Sequence, residues 1–81
     1  GEDILQITFI YESFVQVNDS SNRRILRDVQ FKGYIVEITG SAPFTILLEN
    51  APFTRLTLNG NEIDVSDNIR IDNSARLTVG L

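Results

Sequence analysis

At 81 residues the chain has room for one domain with one core, and it contains no cysteine, histidine, methionine or tryptophan, so disulfides, Cys or His metal centres and His-based catalysis are excluded. Seven Lys and Arg against eleven Asp and Glu leave a formal net charge of −4, which repels phosphate backbones and argues against nucleic-acid binding. With 42% hydrophobic and 22% charged residues the composition is that of a folded soluble domain, and no stretch approaches the roughly 20 apolar residues of a membrane helix.

Ile, Val and Thr make up 22 residues against three Ala and one Lys, a balance that favours pleated backbone over helix. Leu5, Ile7, Phe9 and Tyr11 sit two apart and predict a strand with four large groups on its inner face. Val15 and Val17 flank Gln16 in the next run. The polar segment Asn18-Asp19-Ser20-Ser21-Asn22 then turns the chain toward Arg24-Ile25-Leu26-Arg27, a first hairpin whose Arg23, Arg24 and Arg27 fit a solvated turn and strand edge. Asn18-Asp19-Ser20 also fits the N-glycosylation triplet, which matters only in a eukaryotic secreted protein.

Phe31-Lys32-Gly33 predicts a bend before a strand over 34–39, with Tyr34, Val36 and Ile38 facing inward. Gly40-Ser41-Ala42-Pro43 breaks that strand, since Pro43 has no backbone donor and biases Ala42 toward extended backbone. Phe44, Ile46 and Leu48 resume the period of two, and Arg55-Leu56-Thr57-Leu58 leads into Asn59-Gly60, the strongest hairpin signal in the chain. Ile63 and Val65 are expected in the return strand. Ser66 to Asn73 fits a crossing loop that tucks Ile69 or Ile71, or both, under the sheet, with room for one helical turn. Ala75, Leu77 and Val79 mark the inner face of a last strand. The fold class is therefore all-β, a single compact antiparallel sandwich or small barrel of seven or eight short strands spanning residues 1–81. Gly40, Pro43, Phe44, Asn59 and Gly60 are its fold-defining positions. The repeat of Ala-Pro-Phe-Thr at 42–45 and 51–54 fits two adjacent strands entered through similar turns, or coincidence.

Chemistry has few candidates. No base stands ready for a Ser or Thr nucleophile. Glu62, Asp64, Asp67 and Asp72 are the only carboxylate cluster, and a domain this small offers little of the dry concavity that would tune them for acid–base work. Their spacing also misses the D-x-D-x-D-G pattern of calcium loops, so turn-forming Asp and Asn account for them. No phosphate-binding glycine motif occurs. Neither an enzyme nor a cofactor is expected. Of the seven aromatics, Phe9, Tyr34 and Phe44 are assigned to the core; Phe14, out of phase with Val15 and Val17, and Phe53, after a proline turn, are the candidate partner-binding residues.

Taken in order, Ser13-Phe14-Val15-Gln16-Val17 followed by Asp19, Gly40-Ser41-Ala42-Pro43-Phe44, Leu48-Glu49-Asn50-Ala51, Asn59-Gly60 with Ile63-Asp64-Val65, and Ala75-Arg76-Leu77-Thr78-Val79 form a series that resembles the C-terminal extracytoplasmic domain of the bacterial cell-shape protein RodZ. The chain departs from that pattern at Phe14, where Trp is common, and at Glu49, where Gly is more usual. The resemblance implies a β-domain excised from a longer membrane-anchored protein, with Gly1 a remnant of the excision. It implies a location on the periplasmic face of the inner membrane. It further implies a non-enzymatic scaffolding role linking the actin-like cytoskeleton to the cell-wall elongation machinery, with proteins of that machinery, or peptidoglycan, as partners and the membrane reached only through the parent's anchor. A small carbohydrate-binding sandwich is the competing expectation.

Overall fold

Alternation of apolar and polar residues sets the strands of the computed structural model, which describes residues 2–81; Gly1 lies outside them. Among the described residues eight strands form: β1 (Asp3–Phe9), β2 (Ser13–Asn18), β3 (Arg24–Gln30), β4 (Ile35–Gly40), β5 (Phe44–Leu48), β6 (Thr54–Leu58), β7 (Asn61–Ile63) and β8 (Ala75–Val79). Two 3₁₀ turns, Ala51–Phe53 and Ser66–Asn68, supply the remaining regular structure. Two antiparallel sheets result, ordered β4-β1-β6-β7 and β3-β2-β5-β8. They face each other as a sandwich measuring 31 × 23 × 22 Å.

Both inner faces are lined by the odd or even members of each run. Leu5, Ile7 and Phe9 of β1, Val15 and Val17 of β2, Phe44, Ile46 and Leu48 of β5, Leu56 of β6 and Ala75, Leu77 and Val79 of β8 form one buried cluster. Burying these groups is the driving force available to a chain without disulfide or metal. Leu26, Val36, Ile63, Val65 and Ile69 close the cluster's margins.

The tight turns follow their residue types. Asn59 (φ 51°) and Gly60 (φ 83°) both take the left-handed backbone that a two-residue hairpin between β6 and β7 needs. Asn59 also receives the Ile4 N–H on its Oδ1 at 2.8 Å and donates from Nδ2 to Asp3 at 3.0 Å, tying the turn to the start of β1. Asp3 accepts the Ala42 N–H in turn, at 3.0 Å, beside the cis Ala42–Pro43 bond. At Gly40 a Cβ would lie only 3.2 Å from the Phe44 ring and 3.3 Å from Ile25, so the absence of a side chain lets the two sheets meet there.

Several expectations need correcting. Tyr11 lies beyond the end of β1 and is exposed, because the chain leaves the sheet after Phe9 to cross to the second one. Tyr34 precedes β4 and is 53% exposed, so it is not a core residue. Val65 packs against the core margin but lies outside β7, as the residue that starts the Ser66–Asn68 turn. Ile69 alone is tucked in; Ile71 is fully exposed. The two Ala-Pro-Phe-Thr copies are not structurally equivalent: the first enters β5 through a cis bond with Phe44 buried, the second is a 3₁₀ turn with Phe53 exposed, and β5 and β6 belong to different sheets.

Candidate functional site

Three of the connections that carry the chain between sheets meet at one end of the sandwich. The β1–β2 link holds Ile10 and Tyr11, the β3–β4 link holds Phe31 to Tyr34, and the β5–β6 link is the turn Ala51–Phe53. Backbone hydrogen bonds fasten them together: Ile10 N–H donates to Phe53 O at 2.8 Å, Phe9 N–H to Tyr34 O at 2.9 Å and Gly33 N–H to Phe9 O at 2.8 Å. Ser13, buried beneath this end, donates its hydroxyl proton to Phe14 O and accepts the Asn50 N–H at 3.0 Å, which satisfies the one small polar group in the inner row of β2.

On this frame four aromatic rings stand in solvent as two edge-to-face pairs. Tyr11 and Phe53 have centroids 4.9 Å apart at 86°, and Phe31 and Tyr34 are 5.7 Å apart at 78°. Lys32, which follows Phe31 in the chain, brings its Nζ to 5.6 Å from the Tyr11 centroid of the other pair. Ile10, next to Tyr11, and Ile35, next to Tyr34, are exposed as well. A solvated surface normally scatters its large apolar groups, so this grouping of exposed ones is the candidate contact surface of the domain.

Phe53 is thus placed in the aromatic rim. Phe14 has a different setting: it is half-buried on the outer face of the second sheet, opposite Val29, with the Arg27 guanidinium 5.4 Å from its ring centroid. The two candidate residues therefore have different ring partners. Tyr11, Phe31, Lys32 and Tyr34 were not singled out from sequence. Tyr11 continues the period-two run of β1 in phase, so alternation alone hid its exposure; the bend at Phe31-Lys32-Gly33 was legible, but not that it would land beside Tyr11.

The loop carboxylates act on their own backbone. Asp64 accepts the Ser66 N–H at 2.9 Å and Asp72 accepts both the N–H and the hydroxyl of Ser74, and the serine bonds hold both carboxyls below their ordinary range. Asp19, expected only as part of a polar turn, is buried and accepts the N–H groups of Ser21 and Arg23; the Arg23 N–H is the main reason its carboxyl is held low. For Asp3 the Ala42 N–H and then the Asn59 side chain have that effect. Among the described residues no three acidic groups come together as a metal site.

The surface also carries two hollows. A shallow cleft of about 400 Å³ runs along β6 and β7, lined by Thr54, Arg55, Glu62, Ile63, Asp64 and Val65. A smaller polar one of about 130 Å³ lies on the outer face of the second sheet, among Gln16, Asn18, Asn22, Thr45, Leu47 and Arg76. There Asn18 Nδ2 donates to Asn22 while its buried Oδ1 has no partner among the described residues.

The model of the RodZ C-terminal domain family matches residues 6–78, which takes in every strand from β2 to β7, all of β1 but its first three residues and all but the last residue of β8. The chain belongs to that family. No solved structure matches it. Membership covers both the rim connections and β4, since all lie within the matched span, and it supports a RodZ-like protein.

Proposed function

We propose that this domain is a non-enzymatic binding and scaffolding module of a RodZ-like protein, acting on the periplasmic face of the bacterial inner membrane. There it helps connect the actin-like cytoskeleton to the cell-wall elongation machinery and so maintain rod shape. The observation that carries the reading is the aromatic rim: Tyr11, Phe53, Phe31 and Tyr34 exposed, with Lys32 against Tyr11, on three connections fastened by backbone hydrogen bonds to Phe9 at the end of β1 and to Ile10 after it. Aromatic groups held on a rigid frame lose little freedom on contact and bury large area, which suits capture of a protein of the elongation machinery. Residue types are in keeping with it, as the chain has neither a cysteine nucleophile nor a histidine base for a serine or threonine.

The test is a cell whose parent protein carries Tyr11→Ser with Phe53→Ser. Both side chains are exposed, so the domain should fold and be present at normal level while cells widen or wall synthases lose their normal placement. Normal shape and placement under all growth conditions would refute the rim as the contact. Phe14→Ser, tested beside it, reports whether the separate Phe14–Arg27 surface contributes.

The polar hollow favours a second reading, in which the domain binds a peptidoglycan fragment. Asn18 Oδ1, buried and lacking a donor, is matched by a sugar hydroxyl, with Gln16, Asn22, Thr45 and Arg76 arranged around it. Titration with soluble wall fragments would move the amides of these residues; unmoved amides at millimolar fragment would discard the glycan.

A further inference from the structure

Four strands border the two sheets, and three of them are guarded. In β2 the Phe14 peptide groups bond Glu49, so those of Val15 and Val17 face β3 and, by alternation, Arg27 and Val29 of β3 point outward. There Asp28 Oδ1 takes the Val29 N–H at 2.7 Å, and the register slips by one residue at Ile25, a bulge beside Arg24. Along β8 the outward Arg76 carbonyl accepts Asn68 Nδ2 at 3.4 Å, and Ile69 forms a bridge to Ala75. β7 has only three residues.

The fourth border, β4, is open. Ile4 exchanges hydrogen bonds with Asn59, so Leu5 and Ile7 face β4 and pair with Ile38 and Val36. The peptide groups of Ile35, Glu37 and Thr39 therefore point away from the sheet. Among the described residues nothing bonds to them on that side. The pairing with β1 runs from Gly40 to Ile35 without a bulge, and the strand has no proline. Folded proteins usually blunt such an edge. Here Ile35 is 61% exposed, and the strand begins directly after Tyr34 of the rim.

Charge decides what fits. Glu37 stands at the middle of the three open positions and is the only charged residue of β4. A second copy of this chain aligned antiparallel over the whole edge would set Glu37 against Glu37, on molecules each carrying a net charge of −4. We propose that the open edge of β4 binds an extended, Lys- or Arg-bearing segment of a partner protein as an added strand, with an apolar residue beside Ile35 and the basic one beside Glu37. The proposal rests on the reading of the domain as a binding module and adds the form and charge of what is bound.

The test uses the ¹⁵N-labelled chain and a capped nine-residue peptide of alternating Thr and Val with a central Lys, together with its twin bearing a central Glu. The Lys peptide should shift the amides of Ile35, Glu37 and Thr39 and slow their hydrogen exchange, leaving Arg27 and Val29 unmoved. The Glu twin should bind about threefold or more weakly, and Glu37→Lys should reverse that order. Thr39→Pro deletes an outward N–H that an edge strand does not need for its own sheet, so it should lose the peptide and keep the spectrum of the parent. Equal binding of both peptides, shifts centred on β3, no shift at millimolar peptide, or self-association through β4 in sedimentation each overturn the proposal. The pair Tyr11→Ser with Phe53→Ser should leave these shifts intact, so failure of the rim in cells and failure of strand addition in solution are separate results.

Discussion

Asp19 holds Arg23 by its backbone as well as its charge: Oδ1 accepts the Arg23 N–H at 2.9 Å while Oδ2 accepts Nε at 3.2 Å and lies 3.2 Å from Nη2. The guanidinium side of this contact is 80% exposed, so the ion pair itself contributes little. The closing of the β2–β3 turn depends on Oδ1, which also accepts the Ser21 N–H. Asp19→Ala should therefore lower the melting temperature clearly and Arg23→Ala only slightly; equal effects would mean that the ion pair, rather than the turn, is what stabilises.

Acid should unfold the domain in a defined window. Asp3, Asp19, Asp64 and Asp72 all have folded-state pKa values below the ordinary one, through hydrogen bonds to the charged carboxylate. The folded state then binds fewer protons than the unfolded one. Their contribution is complete above the ordinary Asp value of about 3.9 and is lost as pH falls through the lowered values. The melting temperature should be nearly constant from about pH 7 to about pH 5 and fall below about pH 4. Asp3→Asn with Asp19→Asn should make that fall shallower, and an unchanged slope would assign the acid sensitivity elsewhere.

Phe44 and Tyr34 should respond oppositely to truncation. Phe44 is wholly buried between the sheets, and Phe44→Ala should cost about 3–5 kcal/mol, most of the stability of a domain this size. Tyr34→Ala removes only one exposed edge-to-face pair and should cost at most about 1 kcal/mol. Denaturant unfolding followed by circular dichroism checks both.

Asn59 joins two roles that substitution can separate. Asn59→Gly keeps the left-handed turn and the backbone bond to Ile4 O but loses the side-chain bonds to the Ile4 N–H and to Asp3, a cost of about 1 kcal/mol. Asn59→Ala loses those bonds and strains the backbone as well, so it should be the less stable of the two. Similar melting of the two variants would show that the turn conformation is not limiting.

Most of the sandwich was legible because burial on one face forces a period of two, as in Phe44, Ile46 and Leu48 or Ala75, Leu77 and Val79. Asn59-Gly60 and the break at Gly40 to Pro43 were equally readable, since each has a local backbone cause. Family membership was carried by the order of such segments. What alternation cannot register is where a strand stops: Tyr11 and Tyr34 keep the phase of β1 and β4, yet Tyr11 lies two residues past the end of β1 and Tyr34 one residue before β4. Nor does any local pattern say which connections will be neighbours, so the gathering of Tyr11, Phe31, Tyr34 and Phe53 had no signal beyond their being aromatic. The polar run at 18–22 likewise concealed one buried acid, Asp19, because its partners are the amides of its own turn.

The start of β1 and the end of β8 lie together at the pole where Asp3, Ala42 and Asn59 are hydrogen-bonded, with Gly80 beside Ala42, while the aromatic rim occupies the other pole. Any polypeptide joined to either end must therefore approach from the side away from the rings. Were a longer chain to carry the domain by either end, Tyr11 and Phe53 would stand at the pole farthest from the junction, like a lamp on a stalk, and the length of that chain would set how far the rim reaches.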